Sequence, residues 1–206
     1  MFDAVIFDAD GTLLDSLWIW NSITVNLLKA KGIVPPVDIN AILAEKSVEE
    51  GIIYLLDRFK LDETKQSMQV WYDKTLQQWY GEKVKLLPHA EEVLAFLKDR
   101  QIEIFVASAT DRPLLEACFS NNGILPLLSG IVSEKEIGIP KREPAFYSET
   151  ARRLHLDRTG SLVVEDAVHA ATSAMKAGFA TVHIGTGKLD GVPYNITDLR
   201  ELEAIV

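Results

Sequence analysis

The chain has 206 residues, 48% of them hydrophobic and 25% charged, with a formal net charge of −9. That apolar content supports a buried core in one large domain, or one domain with a smaller insertion. It excludes disordered, collagen-like and disulfide-scaffold chains. An acidic, evenly mixed surface repels polyanions, so nucleic acid is not an expected partner.

The lone Cys118 cannot form an internal disulfide, which fits a reducing compartment. The opening Met1-Phe2-Asp3 lacks the basic stretch of a secretory signal. No apolar run approaches the roughly 18 residues that span a bilayer. The expectation is a cytoplasmic protein without a membrane partner, working as a monomer or small homo-oligomer.

In chain order, the first element is the apolar run Ala4–Phe7, ended by Asp8-Ala9-Asp10-Gly11-Thr12. A short continuous apolar run bounded by a turn predicts a strand buried on both faces. Similar runs recur at 102–107, 131–132, 162–164 and 181–184. Helical patterns lie between them at 88–98, 113–122, 145–154 and 167–177. Asp111 is an N-cap candidate for the second, and Gly123 and Gly178 follow the ends of the second and fourth. This alternation predicts an α/β fold, a Rossmann-like parallel sheet wound on both sides.

Residues 16–86 break the alternation, with no convincing strand and three helical stretches. One stretch ends at Gly32, one opens with the capping-box spacing Ser47-Val48-Glu49-Glu50, and one runs from 62 to 80 before Gly81. The expected organisation is a core of residues 1–15 and 87–206 with an inserted all-helical cap at 16–86. In such sheets ligands bind at the carboxyl ends of the strands.

Those strand ends carry the chemistry. Asp8 and Asp10 follow the first strand, Ser108 the second and Glu165-Asp166 a later one, while Lys141 sits in a loop opening a helix. Each alone has a bland reading: a turn, a strand-end hydroxyl, a helix N-terminal acid, a solvated lysine. Together they place several carboxylates at one sheet edge, where they repel unless a cation is present. Oxygen ligands with open positions suit Mg2+, whose charge lets a carboxylate attack phosphorus.

These residues resemble the haloacid dehalogenase-like hydrolase superfamily. Phe7-Asp8-Ala9-Asp10-Gly11-Thr12-Leu13 is similar to its first motif and Val106-Ala107-Ser108-Ala109-Thr110 to its second. Lys141-Arg142-Glu143-Pro144 is similar to its third motif, and Val163-Val164-Glu165-Asp166-Ala167 to its fourth. The insertion resembles the cap of the β-phosphoglucomutase and phosphoglycolate-phosphatase-like subfamily. The resemblance implies a Mg2+-dependent phosphatase acting on a small phosphorylated metabolite. Asp8 would be the nucleophile and Asp10 the general acid and base. Ser108 and the Ala109 amide would hold phosphate oxygens, and Lys141 would orient Asp8. Mg2+ would be held by Asp8, the Asp10 carbonyl and Asp166, with Glu165 direct or through water.

The departures bear on specificity. Trp20 stands where the mutases of this subfamily carry a histidine, and Val48 where they carry an arginine, which argues against the alternative of a sugar-phosphate mutase. Glu45 replaces a common cap-loop glycine, beside Lys46. Trp20 and Lys46 are the cap's candidates for substrate contact, although its aromatics equally suit a small core. A second alternative is a phospho-accepting regulatory domain. It is disfavoured by the Asp-x-Asp spacing and by an insertion of about 70 residues.

Overall fold

The computed structural model describes residues 2–44 and 46–206. Strands β1 (Ala4–Phe7) and β2 (Leu14–Asp15) lead into helices α1 (Leu17–Ala30), α2 (Ile39–Ala44), α3 (Val48–Phe59) and α4 (Lys65–Glu82). Strand β3 (Lys85–Leu86), helix α5 (Ala90–Asp99), strand β4 (Glu103–Ser108), helix α6 (Arg112–Asn121) and strand β5 (Gly130–Ser133) follow. Then come helices α7 (Glu134–Ile137) and α8 (Pro144–Leu154), strand β6 (Ser161–Glu165), helix α9 (Val168–Lys176) and strands β7 (Ala180–Ile184) and β8 (Tyr194–Ile196).

The chain divides into two compact units, Met1–Asp15 with Val84–Val206, and Ser16–Lys83. The first is built on a six-stranded parallel sheet of order β5-β4-β1-β6-β7-β8, so the fold is α/β and Rossmann-like. All four residues of β1 are buried, as its uninterrupted apolar run requires. Ala4 and Ile6 join Phe105, Val132, Val163 and Phe179 under α8 and α9, whose Phe146, Tyr147, Ala151 and Ala174 complete that core. Val5 and Phe7 alternate to the other face, and α5 and α6 pack on β4 and β5.

Several details depart from the sequence expectations. The sheet gains β8, whose Tyr194-Asn195-Ile196 buries only its last residue fully and so lacks an apolar run. β2 and β3 form a small antiparallel ribbon, with Leu14 opposite Leu86 and Asp15 opposite Lys85, so the helical unit ends at Lys83 rather than at residue 86. Asp111 occupies the N-cap position of α6 without a side-chain capping bond; its carboxylate pairs with Lys135 at 2.7 Å.

In the helical unit, Ser47 and Glu50 form the reciprocal capping box that opens α3, and Thr64 with Ser67 does the same for α4. α4 continues through Gly81 to Glu82, because buried Trp79 and Tyr80 anchor its last turn. Packing there outweighs the roughly 1 kcal/mol helical disadvantage of glycine. Trp18 lies against Trp79 with ring centres 5.1 Å apart, and the hydroxyls of Thr24 and Tyr72 meet at 2.9 Å. Tyr72, Trp79 and Tyr80 lie buried. Trp20, 40% exposed, does not. Lys46 is exposed, its ammonium 5.8 Å from the centre of the Tyr54 ring, and Glu45 lies outside the described residues. No helix among the described residues is long and apolar enough to cross a membrane.

Candidate active site

Sheet register brings the candidate residues to one edge. Phe7 is paired with Val106 on one side and Val164 on the other, so Asp8 emerges level with the ends of β4 and β6. The Asp8 amide donates to the Val164 carbonyl at 2.9 Å, which carries the ladder one residue further. β1 is also where strand order reverses, the crevice position at which open α/β sheets bind ligands. The turn after it needs Gly11, whose φ of +91° is unfavourable for other residues.

Lys141 is delivered by a loop anchored at three points. Ser133 and Glu136 form a capping box at α7, Glu134 Oε2 accepts from the Lys141 amide at 2.7 Å, and the Ser173 hydroxyl donates to the Arg142 carbonyl. The lysine side chain is buried, and its ammonium pairs with Asp8 Oδ1 and, at 2.6 Å, with Glu165 Oε1.

Oxygens of Asp8, Glu165 and Asp166 all lie within 4.8 Å of one another. Asp10 is not in that carboxylate group; its Oδ2 accepts from the Thr110 hydroxyl at 2.6 Å. Ser108 is buried, its Oγ accepting the Thr110 amide at 3.0 Å, and Ala109 beside it is exposed. His183 Nε2–H donates to the Asp166 carbonyl at 3.0 Å, which steadies the loop after β6.

Four residues around the site carry no signal that sequence reading assigns to it. Thr110, Glu134, Tyr147 and Ser173 look like a strand-end hydroxyl, a helix-opening acid and two helix-face residues. Tyr147 falls on the apolar stripe of α8, where periodicity alone says core. Its hydroxyl nevertheless donates to Glu165 Oε1 at 2.5 Å.

Burial pushes the Asp8 carboxyl up to about 6, against the pull of Lys141, with Asp10 and Asp166 adding to the rise. Glu165 is lifted to about 7, again by burial first, opposed by Lys141 and reinforced by Asp8. Asp166 rises to about 6 through burial and then Glu165. Burial works against the Lys141 charge, but Asp8 and Glu165 outweigh it and hold the ammonium above the ordinary lysine range.

The donor set fits a hard divalent cation. Three carboxylates converge with one lysine to offset them, and Glu165 Oε2 is buried with no hydrogen-bond partner among the described residues. A buried carboxylate oxygen without a donor is costly unless a cation faces it.

These raised values carry a stability prediction for the metal-free protein. The unfolded chain titrates such acids near about 4. Between that value and about 6 to 7 the folded state therefore holds extra protons. Their stabilisation is complete at the low end and is lost as pH rises through the folded values. Thermal melts in EDTA should show a higher midpoint at pH 5.5 than at pH 8. Added Mg2+ should raise the midpoint more at pH 8, since protons compete for the same oxygens. Equal Mg2+ shifts at both pH values would contradict a carboxylate site.

A family model described as haloacid dehalogenase-like hydrolase matches residues 5–184. The phosphorylated carbohydrates phosphatase of Thermotoga maritima is 21% identical over 201 residues, spanning 97% of this chain and 89% of that protein. The bifunctional riboflavin kinase/FMN phosphatase of Arabidopsis thaliana is 30% identical over 104 residues, half of this chain and 27% of that protein. Among solved structures, YfnB from Bacillus subtilis, determined bound to magnesium, superposes with a TM-score of 0.82 at 16% identity, covering 99% of this chain and 98% of that one. At that identity the superposition shows the shared fold alone.

Proposed function

The chain belongs to the haloacid dehalogenase-like hydrolase family, and from that premise we propose that it is a Mg2+-dependent phosphatase of small phosphorylated metabolites, phosphorylated carbohydrates first among them. The observation that carries this reading is the convergence of Lys141, Glu165 and Asp166 on Asp8, with Asp10 two residues on and hydrogen-bonded to Thr110. The substrate class follows the Thermotoga maritima relative.

In the proposed reaction an Asp8 carboxylate oxygen attacks phosphorus. The bond from phosphorus to the leaving oxygen breaks, and Asp10 gives that oxygen its proton. Asp10, now a base, takes a proton from the water that attacks the aspartyl-phosphate, releasing phosphate and regenerating Asp8. Lys141 orients Asp8 and offsets charge on the incoming phosphate, while the Ser108 hydroxyl and Ala109 amide hold its equatorial oxygens. Asp8, Asp166 and Glu165, with the Asp10 carbonyl, would hold Mg2+, which when bound supplies charge neutralisation between carboxylate and phosphate. The helical unit is proposed as a cap that selects substrate, with Trp20 and Lys46 as its exposed candidates.

The test is phosphate release across a panel of sugar, polyol, nucleotide and carboxylic-acid phosphates, with and without EDTA. Release that needs Mg2+ and is fastest on a sugar or polyol phosphate is expected. No release from any member by folded protein would overturn the phosphatase.

Thr110 offers a narrower check on Asp10. Thr110→Val keeps the shape and removes the hydroxyl that donates to Asp10 Oδ2. The kcat should fall roughly tenfold, the rate equivalent of one hydrogen bond, with KM little changed. Thr110→Ser should restore most of it. An unaltered kcat in the valine variant would remove Thr110 from the alignment of Asp10.

A further inference from the structure

Tyr147 has two parts with different surroundings. Its ring is fully buried in α8 and meets Phe146 edge-on at 5.2 Å and Phe179 at 6.3 Å. A phenylalanine would serve that packing as well. Its hydroxyl donates to Glu165 Oε1 at 2.5 Å, the oxygen that also receives the Lys141 ammonium at 2.6 Å. Two donors thus fall on one carboxylate oxygen, while Oε2 of the same group is buried without a partner among the described residues.

That lopsided arrangement is unfavourable as plain core packing. A buried carboxylate oxygen left without a donor is destabilising, so buried polar atoms are nearly all hydrogen-bonded. Lys141 does not impose the carboxylate orientation alone: its flexible stem also serves Asp8. The Tyr147 hydroxyl sits on a rigid ring, wedged by two aromatic neighbours, so it defines one rotation of the Glu165 carboxylate. A phenol keeps its proton at neutral pH and so donates here.

We propose that Tyr147 is a positioning residue of the cation site: with Lys141 it holds Glu165 Oε1, sets the carboxylate rotation, and leaves Oε2 as a ligand oxygen. The inference rests on the Mg2+ reading above. It assigns part of the site's cation affinity to a side chain that does not itself touch the cation.

The experiment is titration calorimetry with Mg2+ alone, at pH 8, on the wild type, Tyr147→Phe and two packing controls, Phe146→Leu and Phe179→Leu, each with a cooperative melt in EDTA. Tyr147→Phe removes only the hydroxyl. Its Mg2+ affinity is expected to fall by tenfold or more, within the roughly 10–100-fold range for loss of a group that orients a metal ligand. The controls disturb the same aromatic cluster and should stay within about threefold of wild type. A loss below tenfold in Tyr147→Phe, with wild-type binding intact, leaves the hydroxyl as an ordinary core partner and overturns the proposal. Equal losses in Tyr147→Phe and the controls overturn it by assigning the effect to packing. Wild type that binds no Mg2+ sinks the cation reading, and this inference with it.

Discussion

Replacing Asp8 by asparagine is expected to abolish Mg2+-dependent phosphate release, by roughly ten-thousandfold or more, while leaving the protein folded. The carboxamide has the shape of the carboxylate but is a poor nucleophile, so the remaining groups can bind phosphate without forming the covalent bond. Folding should survive because Lys141 retains Glu165 as a partner at 2.6 Å, and one of three mutually repelling carboxylates becomes neutral. Rapid quenching of the wild type during turnover should trap phosphate on the protein in a hydroxylamine-labile form, the behaviour of an acyl phosphate. The variant should trap none. Activity within tenfold of wild type in Asp8→Asn would mean that water attacks phosphorus directly and that Asp8 serves only the cation. A large loss with no trapped phosphate in the wild type would place the slow step before or at the first transfer.

Asp8, Glu165 and Asp166 were legible because strand geometry does the work: in a parallel sheet the residues after each apolar run share one edge, so reading the runs locates the acids. The turn at Gly11 and the capping box at Ser47 were equally plain, since each depends on a single residue's chemistry. β8 and the β2–β3 ribbon were hidden for the opposite reason. Their residues have no strong preference of their own and are strands because a neighbour offers hydrogen bonds. The run of α4 through Gly81 is tertiary in the same way, decided by buried Trp79 and Tyr80. Asp111 shows a competition, its carboxylate taken by Lys135 where local rules offered it to the helix. Tyr147 and Thr110 stayed silent because pattern separates buried from exposed positions, whereas their roles depend on where one hydroxyl points.

The largest stability effect should come from Lys141→Met. Asp8 and Glu165 are both buried, and the Lys141 ammonium pairs with both of them. Methionine keeps most of the stem and its packing while removing the charge, leaving two carboxylates with Asp166 nearby and no lysine to offset them. Breaking a buried ion pair from one side costs roughly 3–5 kcal/mol, which for a chain of this size lowers the melting midpoint by on the order of 10 °C. The loss should depend on pH in a definite direction. At pH 8 the wild type holds Asp8 and Glu165 ionised against Lys141, so the variant must either leave them charged and unpaired or take up protons, and either costs stability. Towards pH 5.5, below the about 6 of Asp8 and about 7 of Glu165 in the wild type, both proteins carry these groups protonated, since losing Lys141 only raises them further, and the gap from wild type should narrow. Mg2+ should recover part of the loss at pH 8, because it neutralises the same oxygens. Phosphate release should stay low even then, since Mg2+ does not replace the hydrogen bond from Lys141 to Asp8 Oδ1. Melts in EDTA at the two pH values test this: a midpoint equal to wild type at pH 8 would mean that the carboxylates are already neutral there, and that Lys141 is not what keeps them ionised.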